Sequence, residues 1–187
     1  LDLTMVSQTK VLYLEGYLWD SPAAKRAFLA ASEACQAAGG QVALSLSDGF
    51  CVDRHRDSFL DLVNGHVDVL FANEVEIKSL YQTDDLEAAL ESVRSCCSVV
   101  AVTCGSQGSV VLSGDQRWQI GIFGLGTLVD TTGAGDLYAG GFLHAYTQGE
   151  SLERCGQLGA LCAAQIVTQL GARSTVSLRD LAAAHLN

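Results

Sequence analysis

The chain is 187 residues long, with 49% hydrophobic and 17% charged side chains, a balance that supports a buried core and excludes a disordered or low-complexity protein. Its net charge of −10 repels phosphate backbones and anionic lipid, so neither a nucleic acid nor a membrane surface is expected as a partner. A small anion held by backbone N–H groups and a metal ion stays compatible with that field. Seven Cys, an odd number with no C-x-x-C spacing, are expected to be reduced and buried rather than bridged. The start, Leu1-Asp2-Leu3-Thr4, has no basic leader, and no apolar run approaches the ~20 residues of a membrane span. A cytoplasmic protein is expected. Leu1 in the place of Met reads as a cut edge.

Strand-like and helix-like stretches alternate along the chain, the pattern of a parallel or mixed sheet covered by helices. Residues 11–18 form an apolar, aromatic-rich run suited to a buried strand. Ser21-Pro22 supplies an N-cap and a first-turn Pro for an Ala-rich helix that stops at Gly39-Gly40. Strands are expected at 41–46 and 68–71, the second ending at Asn73, with residues 59–63 in a helix between them. Helical patterns follow through Tyr81 and again over 86–93. Residues 98–102, 108–112 and 118–123 read as strands, the last two antiparallel around Ser113-Gly114-Asp115 because that connection is too short for a crossover. A helix to about Gln148 and a second over 152–170, closed by Gly171, complete the pattern. With no repeat and no linker, one domain over 1–187 is expected.

The segment Asp130-Thr131-Thr132-Gly133-Ala134-Gly135-Asp136 leads straight into the first of those two helices. Three small residues let backbone approach a ligand, and the first N–H groups of a helix lack intrahelical partners and favour an anion. Asp136 beside that anion hole is placed to accept a proton from an attacking alcohol. Taken alone, Gly-Ala-Gly-Asp is equally a tight turn with a dipole-favouring acid. No Gly-Lys-Ser/Thr occurs, which excludes a P-loop, and no dinucleotide fingerprint follows a strand, which disfavours a dehydrogenase.

The whole run from Asp130 to Asp136, followed by Gly140-Gly141-Phe142, resembles the signature of the PfkB, or ribokinase-like, carbohydrate and nucleoside kinases. That resemblance implies an α/β, Rossmann-type three-layer sandwich with a mostly parallel sheet. It implies ATP-dependent phosphoryl transfer to a hydroxyl of a sugar or nucleoside, with Asp136 as general base and Gly133, Ala134 and Gly135 as the anion hole. Gly140 and Gly141 are read as helix-packing residues. Asn73-Glu74-Val75-Glu76 resembles the family's Asn-x-x-Glu motif, which implies Asn73 toward the phosphates and Glu76 toward Mg²⁺. The same residues also make an ordinary helix cap, and Glu74 competes as the metal residue. Thr103-Cys104-Gly105-Ser106-Gln107-Gly108 resembles a turn that lines the nucleotide pocket, which implicates Thr103, Gly105 and Gly108. Small residues at 159–164 resemble the helix walling the adenine site. Asp130 and Thr132, with the 171–174 loop, frame a monovalent cation such as K⁺ in some relatives. The four His share no metal-ligand spacing, and Asp53, Arg54, Arg56 and Asp57 read as a solvated charge cluster.

Residues 46–74 and 163–173 look closest to the adenosine-kinase-like branch. The resemblance covers only the later portion of the family's fold, without the N-terminal strands and lid that supply acceptor-binding residues and often a dimer contact. A small-molecule acceptor and a homo-oligomer are therefore implied, but the particular sugar or nucleoside is not. A non-catalytic nucleotide-binding module on the same fold, or an inactive fragment, is the alternative.

Overall fold

The structure, a computed structural model, describes residues 1–186. Among them six strands run in the sheet order β1-β2-β3-β4-β5-β6. They are β1 (Val11–Glu15), β2 (Gln41–Ser45), β3 (Val69–Asn73), β4 (Val99–Thr103), β5 (Ser109–Ser113) and β6 (Gln116–Ile120). β1, β2 and β3 are parallel, with Val11 opposite Gln41 and Ala43 opposite Val69. Gly114 and Asp115 alone separate β5 from β6, a connection that only an antiparallel pair can use. The α/β class and mixed sheet expected from the alternation are what the chain adopts. Tertiary contacts divide it into two compact units, Leu1–Val102 with Leu112–Arg117, and Thr103–Val111 with the residues from Trp118 on.

In the first unit, β2 is buried at Val42, Ala43 and Leu44, and β3 at Val69 and Leu70, consecutive positions that point to opposite faces. Such strands need cover on both sides, which is why they read as continuous apolar runs. Helices supply it: α1 (Leu3–Val6), α2 (Pro22–Ala37), α3 (Gly49–Arg54), α4 (Arg56–His66), α5 (Glu74–Tyr81) and α6 (Leu86–Val93). Helix α2 starts as its residues dictate, with the Ser21 hydroxyl accepting from the Ala24 N–H and Pro22 in the first turn. Its buried residues Phe28, Ala31, Ser32 and Cys35 form one stripe at helical spacing. Trp19, buried beside that stripe, has its ring 5.5 Å from those of Phe28 and Phe59.

Strand β1 is shorter than the apolar run 11–18 predicts. Gly16 lies so close to β2 that a Cβ there would sit 2.5 Å from the Leu46 carbonyl oxygen, and the chain turns into a 3-10 helix over Gly16–Asp20. The turn is held by Ser47, whose hydroxyl accepts from the Gly16 N–H and donates to a Glu15 carboxylate oxygen 2.7 Å away. The charged residues after it are solvated, as expected, and pair with one another. Arg54 makes a two-pronged pair with Asp20, and His55 reaches the same carboxylate, which lies below the usual range because of both.

In the second unit, helices α7 (Ala134–Thr147) and α8 (Leu152–Ile166) cross at glycines, and α9 (Leu178–His185) follows. A Cβ on Gly141 would sit 2.8 Å from the Leu158 carbonyl oxygen, and one on Gly159 would sit 2.8 Å from that of Tyr138. Gly141 is thus the packing residue expected, whereas Gly140 is exposed and a Cβ there would meet nothing within 4 Å. Helix α8 ends at Ile166 rather than Leu170. The carbonyl of the next residue, Val167, is taken by the Val129 and Asp130 N–H groups, so the ladder cannot continue. Among the described residues all seven Cys are free thiols, and no helix is long and apolar enough to cross a membrane.

Candidate functional site

Helix α7 has no side-chain cap at its N-terminus. Its N-cap is Gly133, at φ +79°, where a Cβ would lie 2.6 Å from the Ala172 Cβ, so both the backbone angle and the available space demand glycine. The Ala134 N–H donates to the Thr131 carbonyl at 3.1 Å, and that of Leu137 to the Gly133 carbonyl at 2.9 Å. Among the described residues no acceptor meets the N–H of Gly133, Gly135 or Asp136. Unpaired donors at the positive end of a 14-residue helix are suited chemically to an anion. Asp136 stands in that first turn, exposed, with no hydrogen bond to its carboxylate among the described residues.

Asp130 anchors the approach to this turn. One carboxylate oxygen accepts from the N–H and hydroxyl of Thr132, at 2.9 and 2.7 Å, and the other from the Gly171 N–H at 2.9 Å. The Gly171 bond, then those from Thr132, hold the Asp130 carboxyl below the usual range. These bonds tie the loop before α7 to the loop after α8.

Beside the turn lies an apolar cleft of about 420 Å³. One wall is the turn after β4, where Gly105 and Gly108 adopt φ of +55° and +85°. The Cys104 N–H donates to the Gly108 carbonyl at 2.7 Å, which folds the turn tightly. Gly108 admits no side chain, since a Cβ would fall 2.0 Å from the Ile120 carbonyl oxygen. A second wall is α8, through Ala160, Ala163 and Ala164, and a third is the irregular segment carrying Ile122, Phe123 and Leu128. Small residues on one side and apolar ones on the other suit a flat ring. Of the residues singled out by sequence, Thr103, Gly105, Gly108, Ala134 and Gly135 line this cleft. Ile122, Phe123, Leu128, Ser109 and Tyr138 line it too, and no motif pointed to them. The nearest signal was the apolar pair Ile122-Phe123 between Gly121 and Gly124.

Asn73 and Glu76 belong to the first unit, where β3 ends and α5 begins. They form a reciprocal cap: the Glu76 N–H donates to the Asn73 side-chain oxygen, while the Glu76 carboxylate accepts from the Asn73 N–H at 2.9 Å and from its side-chain NH₂ at 2.7 Å. Glu76 is 6% exposed, and burial raises its pKa, with the charges of Asp48 and Glu15 adding to the effect. Glu74, the competing carboxylate, is paired with Lys78.

Strands and helices alternate in an α/β protein, and in its second unit an uncapped helix starts beside an apolar cleft. A model of the pfkB family carbohydrate kinases matches residues 2–179, and the chain belongs to that family. It is similar to the adenosine kinase of Sinorhizobium meliloti, at 48% identity and TM-score 0.95, covering 98% of this chain and 57% of that one. It is also similar to a nucleoside kinase of Methanocaldococcus jannaschii, 35% identical over 127 residues, 67% of this chain and 40% of that protein. An Arabidopsis thaliana ribokinase solved with ribose and ATP matches at 25% identity and TM-score 0.76, over 96% of this chain and 58% of its own. The chain thus spans about half the length of these relatives.

Proposed function

We propose that the protein transfers the γ-phosphoryl group of ATP to a hydroxyl of a sugar or nucleoside, with Asp136 as general base and the turn at Gly133-Ala134-Gly135 as anion hole. The observation that carries this reading is the start of α7, where unpaired N–H groups and an exposed carboxylate share one helical turn. The alcohol oxygen attacks the γ-phosphorus, its proton passes to Asp136, and the bond to the β-phosphate oxygen breaks to release ADP. Charge that spreads over the equatorial oxygens is met by preorganised N–H donors and the helix dipole. Because the Ala134 N–H is already given to Thr131, the available donors are those of Gly133, Gly135 and Asp136.

The cleft of Thr103, Gly105, Gly108 and the α8 alanines takes the nucleotide base in this reading, which agrees with its apolar lining and with the ATP-bound ribokinase relative. Mg²⁺ would accompany ATP, and Glu76, in the first unit, has the chemistry to hold the water shell of such an ion. Each Glu76 oxygen accepts a hydrogen bond from Asn73 and keeps lone pairs free, and a cation offsets the penalty that burial places on its charge. Asp130, which accepts from three donors, acts as a loop brace in this reading, and its Oδ2, with one donor, keeps a lone pair for a monovalent cation.

The test is Asp136→Asn in the full-length protein. Phosphoryl transfer is expected to fall by roughly 10²–10⁴-fold, the usual contribution of a general base, with ATP binding retained. A variant within tenfold of wild type on its best alcohol substrate removes Asp136 from the role.

A further inference from the structure

Two hydroxyl groups meet at the inner wall of the cleft. The Ser109 Oγ and Tyr138 Oη lie 2.8 Å apart, on side chains from residues that are 1% and 3% exposed. Both residues line the cleft, although neither belongs to a motif. Tyr138 stands one residue past Leu137, whose N–H makes the first i→i−4 bond of α7, and two past Asp136. It is gripped from two directions. Its hydroxyl is tied to the first residue of β5, and its carbonyl abuts Gly159 of α8, where a Cβ would come within 2.8 Å.

The anchor at the β5 end follows a tight turn. Ser109 comes after Gly108, whose positive φ and closeness to the Ile120 carbonyl exclude a side chain, and whose carbonyl accepts from the Cys104 N–H at 2.7 Å. The Asp136 carboxylate, by contrast, is fixed by no hydrogen bond of its own among the described residues, and α7 has no capping side chain. Where the base sits is therefore decided by where the first turn of α7 sits. A buried hydroxyl costs free energy unless paired, and Phe would fill the same volume without that demand. Such a contact adds orientation rather than hydrophobic stabilisation.

We infer that the Ser109–Tyr138 hydroxyl pair is a positioning device that sets the register of the first turn of α7, and so of Asp136 and the Gly135 N–H, against the cleft. The inference rests on the proposed phosphoryl transfer at that turn. Misplacement of a reacting group by about 1 Å can cost up to ~10²-fold in rate, so loss of a single tether is expected to cost about tenfold.

The experiment uses the full-length protein with Tyr138→Phe, Ser109→Ala and the double variant. Tyr138→Phe strands the buried Ser109 hydroxyl and lowers Tm, whereas the double change removes both hydroxyls and restores Tm close to wild type. The expected result is that all three lose about tenfold in kcat with KM for ATP little changed, the double no worse than the singles because the two act as one contact. Amide exchange at Leu137 and Tyr138 is expected to quicken in the double variant. A double variant with wild-type kcat and unchanged exchange overturns the inference, as does a KM increase at constant kcat, which would make the pair a nucleotide contact. Asp136→Asn, run in parallel, separates the two readings. Loss of the role of Asp136 strikes the proposed function, while the exchange measurement still decides whether the pair holds the turn.

Discussion

Asp130 acts through its hydrogen bonds, and this makes its contribution testable by pH. The folded-state pKa is depressed from 3.8 by the bonds from Gly171 and Thr132. For an acid with a depressed folded pKa, the stabilisation is present above the unfolded value and is lost as pH falls through the folded one. The brace between residues 130–132 and Gly171 should therefore be intact at neutral pH and released only under acid conditions, below 3.8. In a pH titration followed by NMR, the Gly171 amide is expected to shift with a midpoint below 3.8, and Asp130→Asn is expected to abolish that transition. A midpoint at or above 3.8 would show that the carboxylate gains nothing from these donors. The role of Gly133 is of a different kind, since its demand is on backbone angle and space rather than charge. Gly-Ala-Gly is for that reason legible as a turn from sequence alone. The clash that forbids a side chain at Gly133 comes from Ala172, nearly forty residues away, and is not.

At the scale of elements, the paired glycines of α7 make a contrast that composition hides. Gly141 faces α8, with a Cβ position 2.8 Å from the Leu158 carbonyl oxygen and 2.9 Å from the Cys162 sulfur, while Gly140 faces open space. Gly140→Ala should stabilise the protein by up to about 1 kcal/mol, the helix-interior cost of glycine. Gly141→Ala should destabilise it by about 1–3 kcal/mol, because backbone on α8 must retreat. Urea denaturation of both variants checks the signs, and equal effects would mean that α7 and α8 do not cross at Gly141. Start signals were the most legible feature of the fold. Ser21-Pro22 and Asn73 with Glu76 cap the helices their local chemistry implies. Stops were less legible when a distant partner decided them. Strand β1 yields at Gly16 to the carbonyls after β2, and α8 yields at Val167 to Val129 and Asp130. Helix α3, only six residues long, was too short to leave a periodic signal.

The cleft illustrates the same limit for the whole molecule. Its glycines were readable because each serves a local turn, but its walls come from segments between 103 and 167 that only tertiary structure gathers. The chain spans 57% of the adenosine kinase of S. meliloti, so whether these residues act by themselves is a separate question from what the full-length protein does. Sheet order places β1 at one end, and Val11, Leu12 and Tyr13 on it are only half-buried. An end strand presents one row of N–H and C=O groups to whatever can pair with it. With apolar side chains along that row, self-association or aggregation is the expected behaviour of residues 1–187 in isolation. Such pairing does nothing for an acceptor hydroxyl, which in the proposed reaction must lie within hydrogen-bond reach of Asp136 and in line with the leaving oxygen. Residues 1–187 are accordingly expected to elute larger than a monomer on size-exclusion chromatography. ATP-dependent phosphorylation across a panel of nucleosides and sugars should be near background, while the full-length protein turns over. Monomeric elution with turnover at the full-length rate would instead place the acceptor pocket within these 187 residues.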